Sequence, residues 1–160
     1  MDTVKFGIIG VGNMGSGHLQ SFYTGKVKNG VVTAIADWSE KKLAAAESAC
    51  PGKYTPYRSG AELIDKADVD AVIIAVPHYQ HPELSIRALN KGLHVICEKP
   101  AGVYTKQVKE MNDVARKSDK LFTMMYNQRT NPLYIKMHDL VHAGEIGEIR
   151  RVNWVITNWF

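Results

Sequence analysis

The sequence predicts an α/β fold built on a doubly wound parallel sheet, and two observations carry this prediction. Short apolar runs of strand length alternate along the chain with longer segments of helical character. These runs are almost wholly apolar rather than alternately apolar and polar, as expected for parallel strands covered on both faces. A chain of 160 residues with 45% hydrophobic and 22% charged residues has an ordinary globular composition, and it is long enough to bury one sizeable core.

The predicted elements follow one another in a regular order. Apolar, often β-branched runs predict strands at Val4–Ile9, Val31–Ala36, Ala71–Val76, Leu93–Cys97 and Leu121–Tyr126, and a brief strand is expected near Tyr54–Tyr57. The intervening segments predict helices at Met14–Tyr23, Ser39–Ala49, Ala61–Lys66, His81–Lys91, Thr105–Lys117 and Pro132–Ala143. Ser39 occupies an N-cap position, Pro51 and Gly52 stop the second helix, and Gly92 closes the fourth. Period-two character predicts a last strand at Ile149–Trp159.

Three glycines separate the first strand from the first helix, in the spacing Gly10-x-Gly12-x-x-Gly15. The first permits a tight turn, the second lets a pyrophosphate approach the backbone, and the third lets helix and strand pack closely. The N-terminus of the following helix offers free N–H groups to the anion. Glycine-rich turns are common, but this one follows an apolar strand, and Asp37 ends the second strand roughly 20 residues later. The pattern predicts a Rossmann-type dinucleotide site.

The choice of cofactor depends on the residues that follow the second strand. The Asp37 carboxylate can accept hydrogen bonds from both hydroxyls of an adenine ribose, and it repels a 2′-phosphate. NAD is therefore favoured over NADP, although Lys41 and Lys42 are close enough in sequence to leave NADP open. Trp38 either lines the adenine pocket or is an exposed loop residue.

Two further stretches, "AVPHYQH" (Ala75–His81) and "CEKPAG" (Cys97–Gly102), stand at the carboxyl ends of the fourth and fifth strands, where open α/β sheets bind ligands. Together with "GIIGVGNMG" and "NQRTNP", they resemble the Gfo/Idh/MocA oxidoreductase family, and the resemblance covers nearly the whole chain. The Glu-Lys-Pro motif is its most specific element. The family includes inositol dehydrogenases and glucose-fructose oxidoreductases.

The resemblance implies that Lys99 is the active-site lysine, which hydrogen-bonds the substrate hydroxyl and assists proton transfer as hydride leaves for the nicotinamide ring. Burial of this lysine beside a cofactor cation is expected to lower its pKa toward a useful range. Glu98 is expected to position the cofactor ribose, and Pro100 to fix the backbone of the lysine, often through a cis bond in the family. The alternative is that Lys99 is a solvated side chain that pairs with the neighbouring Glu98 carboxylate.

Cofactor contacts are expected along all of these motifs. The expected set is Gly10, Gly12, Asn13, Met14, Gly15, Asp37, Trp38, Val76, Pro77, His81, Glu98, Lys99 and Asn127. His78 stands where the family commonly has asparagine, while Pro77 and His81 match. For His81, a position near the nicotinamide and a purely structural hydrogen bond remain equal alternatives.

Two other chemistries are disfavoured. His138 and His142 have the i, i+4 spacing of a zinc-protease pattern, but Asp139 is a short acid and no third ligand follows, so no metal site is expected. Cys97 next to Glu98 invites a nucleophile interpretation, but no histidine relay is evident, and a small buried residue is expected instead.

Charge and cysteine content exclude several classes of protein. The formal net charge of +4 is spread over scattered lysines and arginines, so nucleic-acid binding is not implied. The two cysteines form no disulfide framework, which suits a cytoplasmic protein. No signal peptide is expected, because no basic segment leads a long apolar one before the first strand, and no apolar run approaches the roughly 20 residues that span a membrane.

The domain organisation expected is a dinucleotide-binding domain over residues 1–125 and the beginning of a second α+β domain, for substrate and oligomerisation, over 126–160. One strand cannot bury its apolar face alone, so a fragment, a complementing C-terminal chain or a homo-oligomer is expected. The function implied is hydride transfer between nicotinamide and a secondary alcohol of a sugar, cyclitol or related polyol. The alternative is a non-catalytic NAD-sensing regulatory module; an unrelated glycine-loop binder such as a methyltransferase is disfavoured by Asp37 and the Glu-Lys-Pro motif.

Overall fold

The computed structural model describes residues 3–155 and residue 157. The strands are β1 (Val4–Ile9), β2 (Gly30–Ala36), β3 (Thr55–Tyr57), β4 (Ala71–Ile74), β5 (His94–Cys97) and β6 (Phe122–Met124). The helices are α1 (Asn13–Tyr23), α2 (Glu40–Ala49), α3 (Gly60–Lys66), α4 (His81–Asn90), α5 (Thr105–Lys117) and α6 (Pro132–His142). Each of these elements agrees with its sequence prediction to within about two residues at each end.

All six strands form one parallel sheet in the order β3-β2-β1-β4-β5-β6. The predicted doubly wound Rossmann-type fold is therefore confirmed. The chain order runs outward from β1 in one direction to β3, and from β4 in the other direction to β6. The crevice at the carboxyl ends of β1 and β4 is the point where this order reverses, which is where open α/β sheets bind ligands.

The core lies on both faces of the sheet because successive side chains of a strand point to opposite sides. Ile9 and Ile74 pack with Leu63 of α3 on one face, whereas Ile8 and Ile35 pack on the other. Burying an aliphatic side chain of this size stabilises the fold by about 2 to 3 kcal/mol. This double covering explains why the strands are apolar at nearly every position.

The starts of α2 and α3 follow the capping chemistry expected of serine. The Ser39 hydroxyl accepts a hydrogen bond from the Lys42 N–H at 3.4 Å, so the predicted cap of α2 is confirmed. Ser59 caps α3 in the same way through the Glu62 N–H, at 3.1 Å. Each such cap satisfies one of the N–H groups that a helix start leaves without a partner.

Backbone contacts divide the chain into two units, Met1–Met125 and Tyr126–Phe160. In the second unit, α6 begins after Asn131, whose side chain accepts from the Leu133 N–H at 3.0 Å. The apolar side chains of α6 are half-buried or exposed, and Leu133 is 74% exposed. The Tyr134 and Trp154 rings stack with centroids 5.8 Å apart.

The strand expected at Ile149–Trp159 is wrong for the residues that the structure describes there. Residues 149–155 and 157 are not in a strand, and the remaining positions of that prediction lie outside the described residues. A strand needs a backbone partner for its N–H and C=O groups, and the described part of this unit offers none. Within the same described residues, no helix has the length and apolar character needed to cross a bilayer.

Candidate functional site

A cleft of about 540 Å³ opens at the carboxyl edge of the sheet, beside the ends of β1, β2 and β4. Six of the predicted site residues line it: Gly10, Gly12, Asp37, Trp38, Val76 and Pro77. Side chains of the β3–α3 junction and of the start of α4 complete the wall. The parallel topology thus gathers residues that are far apart in sequence.

The three glycines of the loop occupy different environments. Gly10 has a φ of +88°, and a Cβ placed there would lie 2.6 Å from the Ala75 carbonyl oxygen. A Cβ on Gly15 would lie 1.7 Å from the Gly10 carbonyl oxygen, so only glycine allows α1 to approach β1 this closely. A Cβ on Gly12 would meet nothing nearer than the Lys42 Nζ, at 3.9 Å. The first and third glycines are therefore required by the turn and its packing, whereas the second faces open space.

Helix α1 begins at Asn13, directly after the open position at Gly12, and no side chain of the described residues caps it. The N–H groups of its first turn are the ones a helix leaves without an internal partner, and they favour a bound anion. Asn13 and Met14 stand on this turn, and the Met14 side chain is 49% exposed. The open space at Gly12 and the uncapped turn together fit the pyrophosphate of a dinucleotide.

Asp37 follows β2 and is 7% exposed. One carboxylate oxygen accepts a hydrogen bond from the Val11 N–H at 3.1 Å, and the other accepts from the Ser39 N–H at 3.0 Å. These contacts fix the carboxylate between the glycine loop and the start of α2. Since each carboxylate oxygen has two lone pairs, both can still accept a ribose hydroxyl. Beside Asp37, the Trp38 side chain is 82% exposed at the cleft.

Two cations stand at the same end of the cleft. Lys42 lines it, as does Arg58, which pairs with the exposed Glu40 carboxylate. The sequence pointed to Lys41 and Lys42 but not to Arg58, because the β3–α3 junction carries no recognisable motif. Only the pairing of β3 with β2 brings that junction beside Asp37.

The Glu-Lys-Pro segment follows β5, and its two charged side chains differ sharply in exposure. Lys99 is exposed, and its burial beside a bound cofactor stays a prediction. Glu98 is 4% exposed. Its Oε1 lies 2.8 Å from the His18 Nε2, and its Oε2 accepts from the Lys99 N–H at 3.2 Å. The Lys99–Pro100 peptide bond is cis, as the resemblance implied.

His81 connects the two motifs that follow β4 and β5. It is fully buried, with Nε2 lying 2.8 Å from the Val76 carbonyl oxygen and Nδ1 lying 2.7 Å from that of Pro100. A carbonyl oxygen only accepts hydrogen bonds, so the imidazole is the donor in its contacts with the two loops. This geometry matches the structural alternative for His81, a link between two loops.

Cys97 is fully buried at the end of β5, and burial raises the pKa of its thiol to about 11. The thiol is therefore protonated at neutral pH, and a protonated thiol is a poor nucleophile. This environment agrees with a packing role for Cys97.

The remaining predicted residues lie in the second unit. Asn127 is exposed at the start of a short 3-10 turn, where its carbonyl oxygen accepts from the Thr130 hydroxyl at 2.9 Å. The His138 and His142 rings stack with centroids 3.9 Å apart. Among the residues described by the structure, no three His, Cys, Asp or Glu side chains are grouped so that they could hold a metal ion.

Comparison with known proteins gives the site a family context. The family model GFO_IDH_MocA, described as an oxidoreductase family with an NAD-binding Rossmann fold, matches residues 4–126. The inositol 2-dehydrogenase 1 of Saccharopolyspora erythraea is 30% identical over 157 residues, which are 98% of this chain and 46% of that protein. The chain thus spans less than half the length of this curated relative.

Solved structures show the same similarity. The crystal structure of myo-inositol 2-dehydrogenase from Lactobacillus plantarum superposes with a TM-score of 0.87 at 29% identity, covering 92% of this chain and 43% of that one. The scyllo-inositol dehydrogenase from Lactobacillus casei, crystallised with NAD(H) and scyllo-inositol, gives a TM-score of 0.85 at 28% identity, with the same coverage.

Proposed function

The chain belongs to the Gfo/Idh/MocA oxidoreductase family, which has an NAD-binding Rossmann fold, and we propose that it is the cofactor-binding part of a dehydrogenase. The proposed reaction is reversible hydride transfer between nicotinamide and a secondary alcohol of a sugar, cyclitol or related polyol. The observation that carries this proposal is the joint placement of the open Gly12, the fixed Asp37 carboxylate and the exposed Lys99 at one edge of the sheet. The activities named for its relatives favour this dehydrogenase over the regulatory alternative.

Different residues of the site would have different roles in binding the cofactor and the substrate. The Gly12 backbone and the first turn of α1 would bind the pyrophosphate, and Asp37 would bind the adenine ribose hydroxyls. NAD, when bound, supplies the hydride acceptor. Lys99 would donate a hydrogen bond from Nζ to the substrate oxygen and exchange a proton with it. Lys42 and Arg58, at the ribose end, keep NADP as a second cofactor in this proposal.

The rest of the proposal concerns the parts of the enzyme beyond this site. We propose that residues 126–160 begin the substrate and oligomerisation domain, and that Asn127 contributes to cofactor binding. A homo-oligomer or a complementing C-terminal chain would complete the substrate pocket. Two free, buried cysteines, Cys50 and Cys97, support a reducing compartment such as the cytoplasm.

Cofactor titration tests this proposal. The chain is titrated with NADH and separately with NADPH, while energy transfer from tryptophan to the reduced nicotinamide is followed; Trp38 lies at the cleft. We expect NADH to bind more tightly than NADPH, and Asp37→Asn to weaken NADH binding by about tenfold, because a hydrogen bond to a charged group contributes about 1.5 to 3 kcal/mol. For NADPH, the same variant removes a repulsive charge and is expected to strengthen binding.

Asp68→Asn is the matched control for this loss of one negative charge. The Asp68 side chain is 90% exposed and pairs with Lys5 at the opposite edge of the sheet, before β4. It should leave both cofactor affinities within about twofold of the unaltered chain. An unaltered chain that binds neither cofactor at millimolar concentration, or an Asp37→Asn chain that binds NADH normally, contradicts the proposal.

A further inference from the structure

One contact of the site joins two segments that sequence motifs treat separately. The His18 Nε2 lies 2.8 Å from Oε1 of Glu98, 80 residues further along the chain. The His18 side chain is 19% exposed, and that of Glu98 is 6% exposed. The second carboxylate oxygen accepts the Lys99 N–H. Glu98 is thus held on one side by α1 and on the other by the backbone of the lysine it precedes.

The contact between His18 and Glu98 matters for stability of the site because the Glu98 carboxylate is buried. A carboxylate taken out of water is costly unless hydrogen-bond donors replace its hydration. Among the described residues, His18 is the side chain that supplies such a donor to Glu98, and the other donor is the Lys99 backbone. Removing the imidazole leaves one oxygen of a buried carboxylate unsatisfied. Glu98 would then reorient toward solvent, and its bond to the Lys99 N–H would change with it.

The position of His18 on α1 determines which part of a dinucleotide depends on the contact. The first turn of α1, starting at Asn13, is the proposed pyrophosphate site, and His18 lies on the next turn. Asp37 follows β2 and Glu98 follows β5, on opposite sides of the central β1–β4 pair. In a doubly wound fold the two mononucleotide halves of the cofactor lie across this reversal point. Asp37 thus marks the adenosine half, and Glu98 and Lys99 mark the nicotinamide half.

We propose that His18 is a positioning residue: its hydrogen bond to Glu98 holds the Glu98–Lys99 segment in place for the nicotinamide half of the cofactor. This inference rests on the proposed function. Helix α1 then serves both halves of the site, through its first-turn N–H groups on one side and through His18 on the other. The consequence is specific, because loss of His18 weakens NADH binding but spares ADP, which has the adenosine and pyrophosphate parts without the nicotinamide ring and its ribose.

Binding of NADH and ADP to the chain and its variants tests the proposal. NADH is followed by energy transfer from tryptophan, and ADP by calorimetry. For His18→Ala we expect the NADH dissociation constant to rise about tenfold and that of ADP to change less than about twofold. His18→Gln should restore NADH binding to within about threefold of the unaltered chain, because its amide N–H can replace the Nε2 donor. A merely structural role for the ring is not rescued by glutamine.

Two further variants complete the test. His142→Gln is the matched control, since this exposed histidine lies on α6 and should leave both ligands unaffected. In a Glu98→Gln background, His18→Ala should cause little further loss of NADH binding, because the two residues act as one unit. Equal weakening of both ligands in His18→Ala, no weakening of NADH, or full additivity with Glu98→Gln each overturns the inference. An unaltered chain that binds neither ligand refutes the proposed function itself, and the inference with it.

Discussion

Substituting the second glycine of the loop separates cofactor binding from folding. Gly12 has a φ of −72°, which any L-residue adopts, and a Cβ there would have no heavy atom closer than 3.9 Å. We therefore expect Gly12→Ala to change the free energy of unfolding by less than about 1 kcal/mol. The new methyl group nevertheless occupies the space through which a pyrophosphate would reach the backbone.

The size of the binding defect follows from the contacts that the methyl group blocks. Two hydrogen bonds from first-turn N–H groups to a charged phosphate contribute about 1.5 to 3 kcal/mol each. Losing contacts worth about 3 kcal/mol raises the NADH dissociation constant by a factor on the order of 100. The assay combines urea denaturation followed by circular dichroism with NADH titration followed by energy transfer.

Two neighbouring glycines provide matched controls for Gly12→Ala. Gly17 lies inside α1, and a Cβ there would have no heavy atom within 4 Å, so Gly17→Ala should bind NADH normally and gain about 1 kcal/mol from helix propensity. Gly15→Ala would place a Cβ 1.7 Å from the Gly10 carbonyl oxygen and should lose about 3 kcal/mol or more of stability. Normal NADH binding by a folded Gly12→Ala chain would refute the assignment of the pyrophosphate site.

Two other predictions concern the core around the site. Leu63→Ala should lower the free energy of unfolding by about 3 kcal/mol, since Leu63 is fully buried, while Leu121→Ala, at a 75% exposed position, should cost less than about 0.5 kcal/mol in the same urea titration. Because burial raises the pKa of the Cys97 thiol to about 11, the folded chain holds that proton more tightly than the unfolded chain. This contribution to stability is complete below about pH 8.5, the ordinary range for a thiol, and is lost as the pH rises toward about 11. Denaturation at about pH 8 and about pH 10.5, on either side of the ordinary thiol pKa, should show a smaller pH-dependent loss for Cys97→Ala than for the unaltered chain, and equal losses would contradict the assignment.

The fold was predictable because its signals are local. The central strands are apolar runs of the right length, and most helix starts are marked by a glycine, a proline or a capping residue such as Ser39. The roles of the glycine loop were equally readable, since a tight turn, a close approach and a helix packing contact each require the absence of a side chain at one position. The strand expected near Ile149 failed for a different reason: period-two character says which face a strand would bury, but not whether a partner strand is present.

The missed parts of the site are contacts across the fold. Arg58 lines the cleft because β3 pairs with β2. The residues next to Arg58 in the sequence form no motif that predicts this position. His18 follows the glycine loop at a helix position where a histidine is most simply a surface residue, and its partner Glu98 was expected to serve the cofactor ribose. A motif predicts the ligand contacts of one segment. The hydrogen-bond partners of a buried acceptor such as Glu98 depend also on which other segments the fold places beside it.

The sheet order explains why such a contact can matter at a distance from the reacting atoms. Asp37 and Glu98 follow strands on opposite sides of the β1–β4 pair, so no single loop touches both halves of a dinucleotide lying between them. Helix α1 is the element that starts at the reversal point and also contacts Glu98 through His18. A change on this helix can therefore act on one half of the cofactor and spare the other. An effect on one half of the cofactor alone distinguishes a helix that positions the Glu98–Lys99 segment from a helix that only packs against the sheet.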